Sequence, residues 1–252
     1  MRGVILKETE ILKDALNGVI DKKPMSTLRV LTKYYLGNGI TKEEIEVKLD
    51  AYMKEHYKGY KPSKWKDLIN QLVKSVSNYN SYAMCDVDSI YVTENEWFSI
   101  ISLNNKQLEK LAFILLVYCK INKIKNPDCD NKINQNLTDI LTESGIRMTD
   151  ENKLLLNYLY KINYISIGLS CNSTSIKLNY VEDDGDIKIV IDNFINVISY
   201  YNEYKNNKKY ITCEYCKKRI VRNSKKPAKY CNKCSRIKQL EWQKKSMNKI
   251  RK

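Results

Sequence analysis

Histidine is nearly missing from this chain, with His56 the single imidazole among 252 residues. That scarcity removes the commonest general acid and base. It also argues against nucleases of the HNH type, which need histidines beside a zinc ribbon. Glycine is scarce too, at eight residues, and none builds a phosphate-cradling loop or a nucleophile elbow. Long apolar runs are absent. The strongest, Leu111 to Cys119, reaches about half of the ~20 residues a membrane helix needs. Charged residues at Lys7, Glu8, Glu10, Lys13 and Asp14 interrupt the opening stretch and make it unlike a signal peptide. No internal repeat is visible. These absences predict a protein that is not an enzyme, makes no membrane contact and stays in a cytoplasm.

Cysteine, by contrast, is well represented, with eight residues. A reducing cytoplasm disfavours disulfides, so metal binding or core packing has to account for them. Charge is plentiful but unevenly placed. From Lys205 to Lys252 there are 18 Lys or Arg against Glu214 and Glu241, a formal +16; the whole chain carries +15, so the first 204 residues sum to −1. Four metal-bound thiolates and one Zn²⁺ would subtract about two units from the tail and leave it strongly cationic. Lysine far outnumbers arginine, as an AT-rich genome would write it, but codon bias acts on both parts of the chain alike. The segregation therefore points to a polyanionic partner, chiefly DNA or RNA.

Apolar spacing along the chain predicts a mainly α, mixed α+β protein. Residues 1–80 read as an N-terminal helical domain, with helices over Leu6–Val19 and Thr27–Leu36, the latter ended by Gly37-Asn38-Gly39. Thr41 and Glu44 form a capping box for a helix to about Tyr57. Pro62 opens another, with Trp65, Leu68, Ile69, Leu72, Val73 and Val76 on its apolar face. Residues 81–105 are a connector, with a short strand over Ser89–Thr93 and a helix over Glu94–Leu103. Its Asp86 and Asp88 suit a turn entering that strand better than a metal site.

Residues 106–204 follow the order of a winged helix-turn-helix. A buried helix covers Gln107–Lys120, a short one Leu137–Glu143, and a third, capped by Thr149, Asp150 to about Tyr160. Strands at Tyr164–Leu169 and Ser175–Val181 come next, and the turn Asp183-Asp184-Gly185-Asp186 predicts a hairpin to a third strand, Ile187–Ile191. The candidate recognition helix offers Asn152, Lys153, Asn157 and Lys161. Asp150 and Glu151 stand at the end that would enter a groove, so DNA reading and a scaffold or oligomerisation role are both open. An amphipathic helix from Asp192 to about Lys205 leads through a polar linker, Asn202–Lys209, to a ribbon expected to move relative to the body.

Residues 205–252 carry the strongest signal. Cys213-Glu-Tyr-Cys216 and Cys231-Asn-Lys-Cys234 are two CxxC knuckles fourteen residues apart. That is zinc-ribbon spacing for one structural Zn²⁺ in a closed four-sulfur shell. An iron cluster or a redox dithiol uses the same residue type, but duplicated knuckles favour zinc. Cys85, Cys119, Cys129 and Cys171 share no ligand spacing. The cations Lys217, Lys218, Arg219, Arg222, Lys225, Lys226, Lys229, Lys233, Arg236, Lys238, Lys244 and Lys245 surround the knuckles, with Tyr215 and Tyr230 interleaved. Cations beside aromatic rings suit phosphate contact with base stacking. The end of the chain reads as a basic helix.

The segments "RGVILKETEILKDAL", "LEKLAFILLVYCKI" and "CEYCKKRI…KYCNKC" resemble uncharacterised proteins of phages and mobile elements in low-GC Gram-positive bacteria. The resemblance spans most of the chain and brings no active site. It implies a viral or plasmid setting in a bacterial cytoplasm. Two functions fit: a zinc-stabilised regulator of transcription or replication that binds nucleic acid, or an inhibitor of a host defence complex, of the anti-CRISPR type, that docks on protein and on a guide-RNA or DNA path.

Overall fold

Asn105 begins the longest helix of the body by folding its side chain over the helix start, where Oδ1 accepts from the amides of Gln107 and Leu108 at 3.0 and 3.2 Å. The computed structural model describes residues 1, 4–133, 135–170, 173–222 and 228–250. Among them are ten helices and three small sheets, a mixed α+β protein. The chain divides into two compact units, 4–88 and 89–252, the latter with residues 1–3. The division falls at Ser89. The connector expected over 81–105 is therefore split between the units, and 106–204 and 205–252 belong to one unit.

The first unit holds α1 (Glu8–Leu16), α2 (Pro24–Gly37), α3 (Lys42–His56) and α4 (Pro62–Val76). Proline opens α2 and α4, where its missing amide hydrogen costs nothing. The Thr41–Glu44 capping box is present at the start of α3. Leu28, Leu31, Ile45, Leu49, Met53, Ile69, Leu72, Val73 and Val76 close the core. Leu68 lies outside it, exposed. Residue Lys7, at the cap position of α1, has no acceptor to offer. The chain solves this from a distance, since Asp86 accepts from the amide of Thr9 at 3.0 Å and that bond holds its carboxyl below the usual range. Asp88 pairs with Lys7. Both carboxylates thus tie the end of the unit to its first helix.

The second unit opens with β1 (Ile90–Thr93) and α5 (Glu94–Ile101). Its centre is α6 (Lys106–Lys125), in which every residue from Leu111 to Cys119 is buried. A helix apolar on all sides needs cover on all sides. Packed against it are α5, β1, β2 (Lys132–Ile133), α7 (Leu137–Glu143), α8 (Asp150–Lys161), β4 (Ser173–Leu178) and α9 (Ile198–Asn206). Between α7 and α8 the chain turns at Gly145, whose φ of +66° suits a residue without a side chain. Strand β3 (Ile165–Ser170) pairs with β4, and β4 with β2, so the sheet order is β2-β4-β3.

The turn at Asp183–Asp186 does not make the expected hairpin. Strand β5 (Ile187–Ile191) leaves this sheet and pairs antiparallel with β1, Ile90 opposite Ile191 and Val92 opposite Ile189. The reason is that β4 already has a neighbour on each edge, and the turn is held elsewhere. Glu96, fully buried, accepts from the amides of Thr93 and Glu182, both at 2.9 Å, and pairs with Lys120 at 2.7 Å. Lys120 also donates to the Glu182 carbonyl at 3.0 Å, and Lys123 pairs with Asp183. The acidic turn is drawn onto α6.

Helix α9 begins at Ile198, later than the expected Asp192. The preceding residues hydrogen-bond locally instead: Asn193 accepts from the Ile195 amide at 3.0 Å, and the Tyr200 hydroxyl accepts from the Asn193 amide at 3.1 Å. Such side-chain bonds compete with helix. Tyr201 from α9 reaches Glu109 at 2.7 Å and stacks near Trp97 and Phe113, at 5.9 and 6.0 Å.

Glu96→Ala should destabilise the second unit by about 3 kcal/mol, because it strands the Lys120 charge and two amides. Lys188→Ala, which breaks the exposed pair with Glu94, should change stability by less than about 1 kcal/mol. Urea unfolding of the two variants checks the contrast.

Candidate metal centre and basic surface

The ribbon begins as a hairpin of β6 (Tyr210–Thr212) and β7 (Arg219–Val221), with Ile211 opposite Ile220. Its tip is the first knuckle. The turn closes through Cys213 amide to Lys218 carbonyl and Lys217 amide to Cys213 carbonyl, each 2.9 Å. Lys217 takes a φ of +59° there, so a lysine occupies a conformation that ordinarily favours glycine or asparagine. The second knuckle overlaps the start of α10 (Asn232–Ile250), where the Ser235 amide reaches the Cys231 carbonyl at 2.8 Å.

These two turns bring Cys213, Cys216, Cys231 and Cys234 together, their sulfurs all within 4.8 Å of one another. Cys216 and Cys231 lie 3.8 Å apart. Four sulfurs at the ~2.3 Å Zn–S distance of a tetrahedral site would stand ~3.8 Å from each other. The Cys231 amide points at the Cys213 sulfur at 3.3 Å. Burial pushes the Cys213 thiol up, but amides of Cys216, Cys231 and Tyr215 outweigh it and bring it down to about 6. Cys231 is also drawn down, first by the Cys234 amide. Cys234 is pushed up to about 12, first by burial and then by the sulfurs around it. The environment thus favours thiolate at Cys213 and Cys231, while Cys234 holds a proton that a bound cation would displace. The donor set and spacing are compatible with a single structural zinc ion. Cys119 and Cys129 are buried, Cys85 is half-buried in the first unit, and Cys171 lies outside the described residues. Burial raises the Cys119 thiol to about 12, as expected of a core residue.

Of the cations around the site, Lys217, Lys218, Arg222, Lys229, Lys233, Arg236 and Lys244 are exposed. Lys225 and Lys226 lie outside the described residues, as does the side chain of Lys245. Lys238 is half-buried, its ammonium 4.9 Å from the centre of the Tyr215 ring and 2.8 Å from Glu241.

Arg219 has a different setting from the rest. Its guanidinium lies 3.6 Å from the centre of the Tyr200 ring, donates to the Ser199 hydroxyl at 3.1 Å and pairs with Glu203. Side-chain amides flank it: Asn193 Nδ2 donates to the Lys217 carbonyl at 2.7 Å and Asn196 Nδ2 to the Arg219 carbonyl at 3.0 Å. Stacking, with one guanidinium nitrogen on Ser199 and the other on Glu203, suits arginine specifically. The ribbon is thereby clamped to α9 and to the turn before it. Part of the expected linker, through Asn206, is helix, so the free swing predicted for Asn202–Lys209 is replaced by a fixed seat. Nothing in linear spacing links position 219 to position 200.

On α8, Asn152 turns its amide back to the Arg147 carbonyl at 2.8 Å and Lys153 pairs with Asp150 at 2.6 Å. Asn157 and Lys161 are exposed. So are Leu154 and Tyr158, one turn apart. No helix among the described residues is long and apolar enough to cross a membrane. Comparison with protein-family models, curated proteins and solved structures finds no match to this chain.

Two outcomes are expected. Cys234→Ser should reduce bound zinc, measured by elemental analysis, from one per chain to none while the urea transition of the remaining unit persists. Arg219→Ala should keep its zinc but admit protease at Lys208 and Lys209 faster than the parent chain, and Arg219→Lys should behave nearly as poorly.

Proposed function

We propose that this chain is a non-enzymatic nucleic-acid-binding protein stabilised by one structural zinc, in which the ribbon and α10 supply affinity. The observation that carries the reading is the exposed set Lys217, Lys218, Arg222, Lys229 and Lys233 on a cysteine-pinned scaffold, within a segment of formal charge +16. Cations held on a folded surface bind a phosphate backbone with less loss of conformational freedom than cations on a loose tail. We read α6, β2, α7, α8, β3 and β4 as a winged helix-turn-helix, supported by their order and by the sheet order β2-β4-β3. Regulation of transcription or replication in a phage or plasmid setting, inside a bacterial cytoplasm, is the role this combination suits.

A second reading has its own support. Exposed Leu154 and Tyr158, with Asp150 and Glu151 at the start of α8, make that face better suited to protein than to phosphate. An inhibitor seated on a host nucleic-acid-processing or defence complex would use such a face, with the basic ribbon gripping the nucleic-acid path.

The test is a salt series. Replacing Lys217, Lys218, Lys229 and Lys233 by Gln should flatten the dependence of log affinity on log salt by about 0.7 to 0.9 for each phosphate that is no longer neutralised. A parent chain whose binding is weak and indifferent to salt would refute the nucleic-acid reading and leave the protein-docking one.

A further inference from the structure

Two large aromatic rings stand in solvent beside the ribbon. Tyr215, at the tip of the first knuckle, is 50% exposed, and Trp242, on α10, is 59% exposed. Lys238, on the same helix as Trp242, has its ammonium 4.9 Å from the Tyr215 ring centre. Trp242 follows Lys238 by four residues, so both lie on one helix face about 6 Å apart along the axis. Helical side chains lean toward the N-terminus, and for Trp242 that is the direction of Lys238.

On this spacing Tyr215, Lys238 and Trp242 would make a row, with Lys238 as its one shown contact. Glu241 holds its ammonium at 2.8 Å while the Tyr215 ring faces it, so the lysine works as a spacer that fixes one ring relative to α10. Phosphate contact would come from cations around the row, among which Lys217, Lys229 and Lys244 are exposed. Exposed tyrosine and tryptophan in a strongly cationic segment need a partner with both apolar faces and negative charge. Paired bases in a duplex present their faces to one another. Unpaired bases present theirs to an aromatic side chain.

We infer that Tyr215, Lys238 and Trp242 form a stacking platform for a single-stranded nucleic acid, so that the ribbon selects unpaired strands over duplex. The inference rests on the nucleic-acid reading above and narrows it to one class of ligand. The rings set the preference for unpaired bases. The surrounding cations set the salt dependence.

Full-length, zinc-loaded protein is titrated with fluorescein-labelled oligouridylate, oligodeoxythymidylate and a mixed-sequence duplex of equal length. The parent chain should bind both single strands more tightly than the duplex. Tyr215→Ala and Trp242→Ala should each weaken single-strand binding roughly 5- to 100-fold, leave the salt slope unchanged and leave duplex binding as it was. Tyr215→Phe and Trp242→Phe, which keep a ring, should restore most of the loss. Zinc content confirms that each variant is folded at the ribbon. Single-strand binding that survives both alanine changes, or a loss shared equally by the duplex, overturns the platform while leaving the nucleic-acid reading standing. A parent chain that binds none of the three probes overturns both. The relative affinity for the uridylate and thymidylate strands says whether the platform serves RNA or DNA.

Discussion

Helix α6 imposes the condition that the second unit must satisfy. Its stretch from Leu111 to Cys119 is buried without a break, so no side of it can be left to water, and a single sheet face or helix partner would not suffice. Helices come from both ends of the unit to cover it, α5 before it and α7, α8 and α9 after it. The return of the chain after β4 is set by one buried carboxylate. Glu96 holds the amides of Thr93 and Glu182 and the ammonium of Lys120, three partners that compensate its removal from water. Those bonds direct β5 to β1.

From that body the constraint passes outward to the ribbon. Tyr201 anchors α9 to α6 through Glu109, and Lys205 adds a second bond to the same carboxylate at 3.0 Å. Its neighbour Tyr200, pushed up to about 12 first by burial and then by its bond to Asp192, offers a ring face to Arg219. One arginine of the cationic segment is therefore used as a fastener. The gain is geometric: a ribbon seated this way holds its cations in fixed directions, which a flexible tail cannot do. The sulfur cluster brings the hairpin against the start of α10, where a metal ion would join the two.

Much of this was legible in the residues, and the misses share a cause. The Thr41–Glu44 box, the Thr149 cap, the apolar centre of α6 and the two cysteine knuckles depend on neighbours within one or two turns, and local spacing identifies them. The pairing of β5 with β1 was not legible, because Asp183-Asp184-Gly185-Asp186 has hairpin chemistry and only a buried Glu96, far earlier in the chain, redirects it. The seat of Arg219 was hidden for the same reason. The late start of α9 does have a local signal, since Asp192 and Asn193 are residues that favour turns over helix, but the apolar spacing of Phe194, Ile195 and Val197 outweighed it in a reading based on period alone.

The distribution of charge and apolar surface divides the second unit into faces with different capacities. At the start of α8, Asp150 and Glu151 accompany exposed Leu154 and Tyr158; phosphate is repelled there and an apolar partner is not. Around the knuckles the balance is reversed, with lysines and arginines beside Tyr215 and Trp242. Exposed charges more than a Debye length of ~8 Å apart are largely screened in a cell, so the potential over each face is set by the groups on that face. The two readings proposed above draw on different faces of the same unit, the cationic one for a strand and the apolar and acidic one for a protein. The clamp at Arg219 then has a second consequence, since by seating the ribbon on α9 it limits how the cationic face can move relative to the rest of the unit.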